Sequence, residues 1–262
     1  MQTILDGIIE IIREGGKILL SASSLHAKGI SKGGHANFVT EYDSKIQSFL
    51  IEKLHALLPE ANFIGEENGL SLFNEQDRKG FAFVIDPIDG TNNFMKGYEP
   101  SVISIGLFRD GIPFIGVIYN PFQDQTYYAM RGHGAFLNGS PIHSSQESLE
   151  NSLISIGTAP YQPELHPKMF EISALYLRHG MDLRRSGSAA MDLCLLASGK
   201  TGVFFEPILG LWDFAAGAII CEEAGCVITD LEGKPLTYDG SSSILCVSEG
   251  VSKGRYLPRD LQ

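Results

Sequence analysis

The polar stretch Asp86-Pro87-Ile88-Asp89-Gly90-Thr91-Asn92-Asn93-Phe94 follows directly after the apolar run Phe81-Ala82-Phe83-Val84-Ile85. A short apolar run that is rich in aromatic and β-branched residues is typical of a buried strand. Pro87 predicts that ladder pairing stops there, because proline has no backbone N–H to donate. Gly90 permits a tight backbone path, and Thr91 suits the first turn of a helix. The sequence therefore predicts a strand, a turn and a helix in immediate succession.

Two carboxylates, Asp86 and Asp89, lie three residues apart where this strand is predicted to end. Open α/β sheets bind ligands at the carboxyl ends of their strands. The N–H groups of Gly90, Thr91 and Asn92 would face outward at the start of the helix, which suits a phosphate. Since Mg²⁺ prefers oxygen ligands and bridges to phosphates, the stretch predicts a Mg²⁺ and phosphate site. An acidic turn followed by a capped helix explains the spacing equally well.

The length and composition predict a soluble globular chain. It has 262 residues, of which 44% are hydrophobic, enough for one large domain or two closely packed ones. No linker, repeat or low-complexity segment separates the halves. We therefore expect a single domain over residues 1–262, with an α+β half at about 1–148 and an α/β half at about 149–262 that do not fold independently.

The formal net charge of −11 argues against partners that are themselves acidic, namely nucleic acids and anionic membrane surfaces. The sequence shows no apolar run of transmembrane length and no signal-type N-terminus, so we expect a cytoplasmic protein. The same charge would repel a phosphate substrate unless divalent cations were bound nearby. A metal site would resolve this conflict locally.

The four cysteines are expected to be buried free thiols. Cys194, Cys221, Cys226 and Cys246 stand in apolar surroundings without C-x-x-C spacing. That pattern disfavours both disulfides and a zinc site.

Periodicity predicts the remaining elements. Helices are expected at 3–23, about 43–58, 164–178, 187–198 and 212–224. Strands are expected at 62–67, 101–108, 114–119, 126–130, 153–156, 182–184, 203–206, 226–229 and 244–247. The central third is thus rich in hairpins, with strand–helix alternation after about residue 150.

Acidic residues outside the central stretch are further candidates, and each has an ordinary structural explanation. Asp43 would serve as a helix N-cap, and Asp213 as a charge that complements the start of its helix. Glu66 and Glu67 follow a short strand, where they are either solvated or supply a further metal ligand. Glu206 stands at the end of another strand.

Basic residues are few in this acidic chain. Residues 27–35 form a glycine-rich basic segment. We predict that Lys28 lies in a surface loop, whereas a mobile loop that carries Lys32 could close over a metal–phosphate site. Arg184 and Arg185 would pair with a second substrate phosphate or form surface ion pairs, and we favour the ion pairs.

Three motifs in order resemble the inositol monophosphatase family of Mg²⁺-dependent, lithium-sensitive sugar phosphatases. They are Gly65-Glu66-Glu67, Asp86-Pro87-Ile88-Asp89-Gly90-Thr91 and Trp212-Asp213-Phe214-Ala215-Ala216-Gly217, and the resemblance extends over about residues 3–250. It implies an α/β (α+β) fold, a layered α-β-α-β-α sandwich of the inositol monophosphatase and fructose-1,6-bisphosphatase type. It also implies a homodimer.

The resemblance implies two to three Mg²⁺ ions in each active site. Glu66, Asp86 and the backbone carbonyl of Ile88 are expected to hold the first ion. Asp86, Asp89 and Asp213 are expected to hold the second, with Asp86 bridging the two and a weaker third ion near Glu66.

The resemblance also implies the catalytic and phosphate-binding residues. The catalytic set is Glu66, Thr91 and Asp43, of which Thr91 and Asp43 help to deprotonate the attacking water. The amides of Gly90 and Thr91 are expected to bind the phosphate, whereas Lys32 matches the mobile-loop lysine of the family only loosely.

The substrate implied by the resemblance is a small phosphorylated polyol or sugar, with myo-inositol 1-phosphate favoured. Asp89, Glu206 and Ala189 match the residues that line the inositol pocket, and Asn92-Asn93-Phe94 is similar to the inositol monophosphatases at that position. Fructose-1,6-bisphosphate, histidinol phosphate and nucleotide bisphosphates remain alternatives on the same site. An alternative of another class is a non-catalytic regulatory protein that binds Mg²⁺ and phosphate.

Overall fold

The computed structural model describes residues 1–23, 29–32, 38–67 and 79–261. Within them, two helices, a seven-stranded sheet, two more helices, a five-stranded sheet and a further helix stack in layers. The expected α-β-α-β-α fold is confirmed. In the described ranges no helix is both long and apolar enough to span a bilayer. Lys28, most of its glycine-rich loop and most of residues 68–80 lie outside the described residues.

The described residues form seven α-helices, of which the first six were predicted from the sequence and the last was not. They are α1 (Gln2–Ser23), α2 (Glu41–Leu57), α3 (Thr91–Lys96), α4 (His166–His179), α5 (Ala189–Ala197), α6 (Leu211–Glu223) and α7 (Glu249–Ser252). Asp43 is not the N-cap of α2. Thr40 takes that place, and Asp43 completes a capping box by accepting from the Thr40 backbone N–H at 2.8 Å.

The larger sheet has the order β3-β4-β5-β6-β7-β8-β9. Its strands are Asn62–Gly65, Phe81–Asp89, Val102–Arg109, Ile112–Asn120, Gln125–Met130, Ala135–Leu137 and Ser140–Ile142. β3 and β4 pair in parallel, and the other neighbours are antiparallel. A short antiparallel pair, β1 (Ile30–Ser31) and β2 (Phe38–Val39), lies outside this sheet.

Pairing of β4 does not stop at Pro87, contrary to the expectation from sequence. Asp86 pairs with Ser104 and Asp89 with Val102, with an irregularity in the register between them. Proline is tolerated at such an irregularity because the ladder there does not require its N–H. The irregularity keeps both carboxylates on the strand and turns them toward one site.

The smaller sheet has the order β11-β10-β12-β14-β13. Its strands are β10 (Leu153–Ile156), β11 (Asp182–Arg184), β12 (Val203–Leu209), β13 (Val227–Thr229) and β14 (Ser242–Val247). β10 pairs in parallel with β11 and β12, whereas β14 pairs antiparallel with β12 and β13.

Three apolar clusters hold the layers together. α1 and α2 pack on the outer face of the larger sheet, and α4 packs on the outer face of the smaller one. Between the sheets, α6 contacts β4, β5 and β6 on one side and β13 on the other. Its aromatic residue Phe214 is fully buried there. The first turn of α6 is thereby fixed next to the end of β4.

Candidate active site

The fold brings three of the predicted metal ligands into one cluster. One carboxylate oxygen from each of Asp86, Asp89 and Asp213 lies within 4.8 Å of the other two. Asp86 and Asp89 are buried on β4, and Asp213 is in the first turn of α6. Residues that are 124 positions apart in sequence, from 89 to 213, thus share one site.

Local hydrogen bonds orient each carboxylate. Asp86 Oδ1 accepts from the Ile88 N–H at 3.0 Å, and Asp213 Oδ2 accepts from the Gly210 N–H at 2.7 Å. Asp89 Oδ2 accepts from the Ser188 hydroxyl at 2.8 Å and the Ala190 N–H at 2.6 Å. These bonds fix the side chains before any ligand binds.

Burial raises the pKa of every carboxyl group in the cluster, because an ionised acid is poorly solvated there. The pKa of Asp89 rises to about 6. The pKa values of Asp86 and Asp213 rise well above their usual range, with the negative charge of neighbouring acids as the second cause. A divalent cation among these groups would relieve the repulsion and favour the ionised forms.

Glu66 lies beside this cluster, paired with a cation from the chain itself. Lys32 Nζ lies 2.9 Å from Glu66 Oε1 and also bonds Glu67. Burial raises the pKa of Glu66 to about 7, and the charge of Lys32 opposes that rise. Gln47 holds the backbone of Glu67 through two hydrogen bonds of 2.8 and 3.0 Å. The lysine that matched the family only loosely therefore reaches the site.

Thr91 and Asp43 are joined directly, although they are 48 residues apart. The Thr91 hydroxyl lies 3.2 Å from Asp43 Oδ1 and 3.1 Å from the Ile88 carbonyl oxygen. Asp43 is fully buried, and burial raises the pKa of its carboxyl group. It also accepts from the Thr40 hydroxyl at 2.5 Å. The hydroxyl thus connects the Ile88 carbonyl with a buried acid.

The turn between β4 and α3 depends on glycine. Gly90 is the N-cap of α3 with φ of 93°, a left-handed conformation that other residues adopt with strain. The Ser101 hydroxyl donates to its carbonyl oxygen at 3.0 Å. Asn93 fastens the following helix by donating to the carbonyl oxygens of Pro100 at 2.7 Å and Ser186 at 2.9 Å.

A cavity of about 400 Å³ is lined by the acidic cluster and by a further buried carboxylate, that of Glu206. Glu206 lines this cavity, accepts from the Ala159 N–H at 2.9 Å and has its pKa raised to about 7 by burial. A Cβ at Gly157 would lie 2.0 Å from Glu206 Oε2, so only glycine leaves room for this carboxylate. Ala189 also lines the cavity.

Arg184 and Arg185 have different surroundings. Arg184 forms an exposed ion pair with Asp182, as the surface interpretation expected. Arg185 lines the cavity, where its Nε lies 3.2 Å from the Thr158 hydroxyl, and its charge opposes the pKa rise of Glu206.

Several cavity residues had no sequence signal that we used. Ser188 holds Asp89, Asp192 accepts from the Ser186 hydroxyl at 2.7 Å, and Tyr161 lines the mouth at 52% exposure. Ser188 is the N-cap of α5, and the preference for serine at that position is the signal that could have placed the start of the helix at Ala189 instead of at 187. Tyr161 and Asp192 follow no local pattern.

Comparison with known proteins agrees with this geometry. The sequence profile of the inositol monophosphatase family matches residues 1–259. An inositol-1-monophosphatase of Rhizobium meliloti is 33% identical over 262 residues, covering 95% of this chain and 93% of the relative. A Nus factor SuhB of Xylella fastidiosa is 31% identical over 229 residues, covering 86% and 81%.

A solved structure is similar along almost the whole chain. The extragenic suppressor protein suhB of Bartonella henselae superimposes with a TM-score of 0.88 at 30% identity, covering 99% of this chain and 98% of that one. Sequence profile, relatives and fold therefore agree, and the chain belongs to the inositol monophosphatase family.

Proposed function

We propose that this chain is a Mg²⁺-dependent phosphatase that hydrolyses the phosphate monoester of a small polyol, most favourably myo-inositol 1-phosphate. The observation that carries the proposal is the acidic cluster, whose oxygens lie within 4.8 Å of one another beside the Thr91–Asp43 hydrogen bond. Thr91 and the three acids line a cavity of about 400 Å³, which is large enough for a sugar phosphate.

The donor set fits Mg²⁺. Glu66, Asp86, Asp89, Asp213 and the Ile88 carbonyl would supply oxygen atoms alone, and hard divalent cations prefer oxygen ligands. Burial raises the pKa values of all three aspartate carboxyl groups, and a bound divalent cation would favour their ionised forms. Bound Mg²⁺ would supply Lewis-acid chemistry, polarising phosphoryl oxygens and making a bound water easier to ionise.

The chain's own residues would move the proton. Thr91 has an ordinary hydroxyl and is a weak base, but its hydrogen bond to Asp43 gives the proton a second acceptor. Thr91 would take a proton from the attacking water while passing its own to Asp43 Oδ1. Because burial raises the pKa of Asp43, this carboxylate accepts a proton more readily than a solvated one.

Phosphate binding is assigned to the backbone amides of Gly90 and Thr91, next to the proposed cations. Lys32 would add a positive charge at the same side of the cavity, where it already contacts Glu66. These local charges would overcome the repulsion expected from the net charge of −11.

The alcohol portion of the substrate is assigned to the opposite side of the cavity. Glu206 would accept hydrogen bonds from hydroxyl groups, with Ala189 leaving space for the ring and Asp89 near the ester. A carboxylate favours a neutral polyol over a second phosphate, which supports inositol 1-phosphate over a bisphosphate. The relative from Rhizobium meliloti, which is matched over 93% of its length, is called an inositol-1-monophosphatase.

A second candidate is a protein that binds Mg²⁺ and phosphate without hydrolysis. It is favoured by relatives called Nus factor SuhB, a name that mentions no phosphatase activity. Against it, the acids and the threonine that hydrolysis needs are all in contact or in one cluster here.

The test is phosphate release by the purified chain with and without Mg²⁺. The substrates are inositol 1-phosphate, fructose-1,6-bisphosphate, histidinol phosphate and adenosine 3′,5′-bisphosphate. We expect Mg²⁺-dependent release that is fastest on inositol 1-phosphate. Fastest release from another ester would overturn the substrate assignment alone, whereas tight Mg²⁺ binding without release would favour the second candidate.

A further inference from the structure

A second group of metal-ligand side chains lies toward the other end of α6. The sulfur atoms of Cys221, Cys226 and Cys246 all lie within 4.8 Å of one another. Cys221 is eight residues beyond Asp213 on the same helix, about 12 Å along its axis at 1.5 Å per residue. None of these cysteines lines the cavity of the proposed active site.

The fold brings the three sulfurs together from three separate segments. Cys221 is in the last turns of α6, Cys226 precedes β13, and Cys246 is on β14. Gly225, with φ of 88°, reverses the chain so that the Cys226 N–H donates to the Cys221 carbonyl oxygen at 2.9 Å. This turn sets Cys226 beside the helix that it has just left.

The cluster is enclosed but has one outer edge. Cys221 and Cys246 are fully buried, whereas Cys226 is 8% exposed. A Cβ at Gly225 would lie 3.6 Å from Glu249 Oε2 and 3.8 Å from the Ser144 hydroxyl oxygen, so polar groups border this edge. A small ion would enter there, beside Cys226.

The three thiols are not electrically equivalent. The Cys221 S–H donates to the Leu193 carbonyl oxygen at 3.3 Å, and the neighbouring thiols hold the pKa of the Cys226 thiol well below its usual range. Burial raises the pKa values of Cys221 and Cys246. Binding of a cation would remove the protons of these thiols, because the thiolate is the form that ligates a metal.

Buried cysteines usually act as small apolar side chains, and Cys194 is an example in this chain. It is fully buried on α5, and among the described residues it belongs to no group of potential metal ligands. Simple packing does not require three sulfurs from three segments to meet, so the convergence points to a ligand.

Sulfur ligands select soft cations, chiefly Cu(I) and zinc. Structural zinc sites take four protein ligands, whereas this group has three among the described residues. Thiols lose their protons when they bind a metal, so the number of sulfur ligands, rather than their charge before binding, distinguishes the two ions. We propose that Cys221, Cys226 and Cys246 form a three-coordinate site for a soft monovalent cation, Cu(I).

The test uses the full chain, reduced and kept free of oxygen, with Cu(I) titrated against a competing chelator. Excess Mg²⁺ is present so that the acidic cluster does not take part. We expect one Cu(I) per chain, with release of protons from the thiols that bind it. Cys226→Ser and Cys246→Ser are each expected to weaken binding by more than about 100-fold, since even residues behind the ligands contribute 10–100-fold.

Cys194→Ser is the matched control, because it removes a buried cysteine outside the cluster. It is expected to bind Cu(I) as the wild type does. Equal losses in Cys194→Ser and Cys226→Ser, or no Cu(I) retained by the wild type, would overturn the proposal. Zinc binding that is tighter than that of Cu(I), each measured against a chelator of known affinity, would overturn the three-coordinate assignment.

A second measurement uses the wild type alone, so it remains decisive even if a serine variant fails to fold. In the wild type, Cu(I) is expected to slow alkylation of Cys226, the cluster cysteine with measurable exposure. The modified residue is identified by mass spectrometry. Alkylation of Cys226 at an unchanged rate with Cu(I) present would contradict the site.

Discussion

The two ends of α6 carry clusters of opposite chemistry. At its first turn, Asp213 meets two other acids and the oxygens face a cavity of about 400 Å³. Near its last turn, Cys221 meets two other cysteines within the protein. One helix between two sheets positions both groups. The type of ligand atom and the access of solvent to it, rather than the fold, therefore determine which ion each end of α6 could bind.

The two ends also differ in what burial does to charge. At the first turn, the positive end of the helix dipole favours a carboxylate, yet burial raises the pKa of Asp213 well above its usual range. At the other end, burial raises the pKa values of Cys221 and Cys246, whereas the neighbouring thiols hold the pKa of Cys226 below its usual range. Burial thus disfavours the ionised form of all three acids but is outweighed at Cys226, and a bound cation would offset the cost of ionisation at either end.

The largest expected effect comes from removing a charge at the acidic end. Asp89→Asn keeps the side chain's shape and its capacity to accept from Ser188 and Ala190, so the fold is expected to stay intact. The metal would lose a ligand charge worth several kcal/mol in the transition state, which lowers kcat by about 10³-fold or more. The measurement is phosphate release at saturating Mg²⁺.

Asp6→Asn is the control for this substitution, since Asp6 is an exposed acid on α1 that bonds only Gln2 in the described hydrogen bonds. It is expected to retain wild-type kcat. Near-normal turnover of Asp89→Asn would defeat the assignment of the acidic cluster as the metal site.

The next effect concerns the proton path. Thr91→Val removes the hydroxyl that bonds Asp43 but keeps a β-branched side chain of similar size. We expect kcat to fall by about 10²–10⁴-fold with little change in Mg²⁺ affinity, because general acid–base assistance is worth that much. Thr91→Ser should restore most of the rate. A valine variant as fast as the serine variant would remove Thr91 from the mechanism.

Ionisation of Glu206, which lines the cavity, is expected to have a smaller effect, on the free energy of unfolding. Burial raises the pKa of Glu206 from 4.5 to about 7, so the folded state binds its proton more tightly than the unfolded state does. Wild-type stability should therefore fall as pH rises from about 4.5 to about 7. Glu206→Gln lacks this penalty, whose upper limit is about 3 kcal/mol at 1.36 kcal/mol per pKa unit.

Urea unfolding of metal-free protein at pH 4.5 and pH 8 checks this expectation. The two proteins should be nearly equally stable at pH 4.5, with Glu206→Gln more stable at pH 8. Glu10→Gln, which changes an exposed glutamate on α1, should show no such pH-dependent difference. A constant difference at both pH values would mean that Glu206 ionises without a burial penalty.

Much of the fold was predictable because its signals are local. The apolar periodicity of α1 and the apolar run before Asp86 each depend on neighbouring residues. Pairing beyond Pro87 was not predictable, because it depends on β5 accommodating an irregular register. Asp43 was likewise ambiguous until the structure showed Thr40 as the N-cap.

Asp86 and Asp89 were predictable from their own stretch, whereas the distant residues of the candidate site were predictable only through the resemblance, which supplied long-range information. Asp213 by itself is an ordinary acid at a helix start, and only its proximity to β4 gives it further meaning. No sequence motif predicted the cysteine cluster either. Absence of C-x-x-C spacing disfavoured zinc, but it could not show that Cys221, Cys226 and Cys246 meet in space.

The smallest expected effect is the coupling between the two ends. Asp213→Asn removes a charge about 12 Å from Cys221, at 1.5 Å per helical residue. Two unit charges at that distance interact by about 1.4 kcal/mol at an effective dielectric constant of 20, and screening lowers the value further. Cu(I) affinity should therefore change by less than about tenfold in Asp213→Asn, and Mg²⁺ affinity equally little in Cys226→Ser. Both are measured by chelator competition. A larger change in either variant would show that α6 transmits occupancy from one end to the other, and the two clusters would then have to be treated as one coupled system.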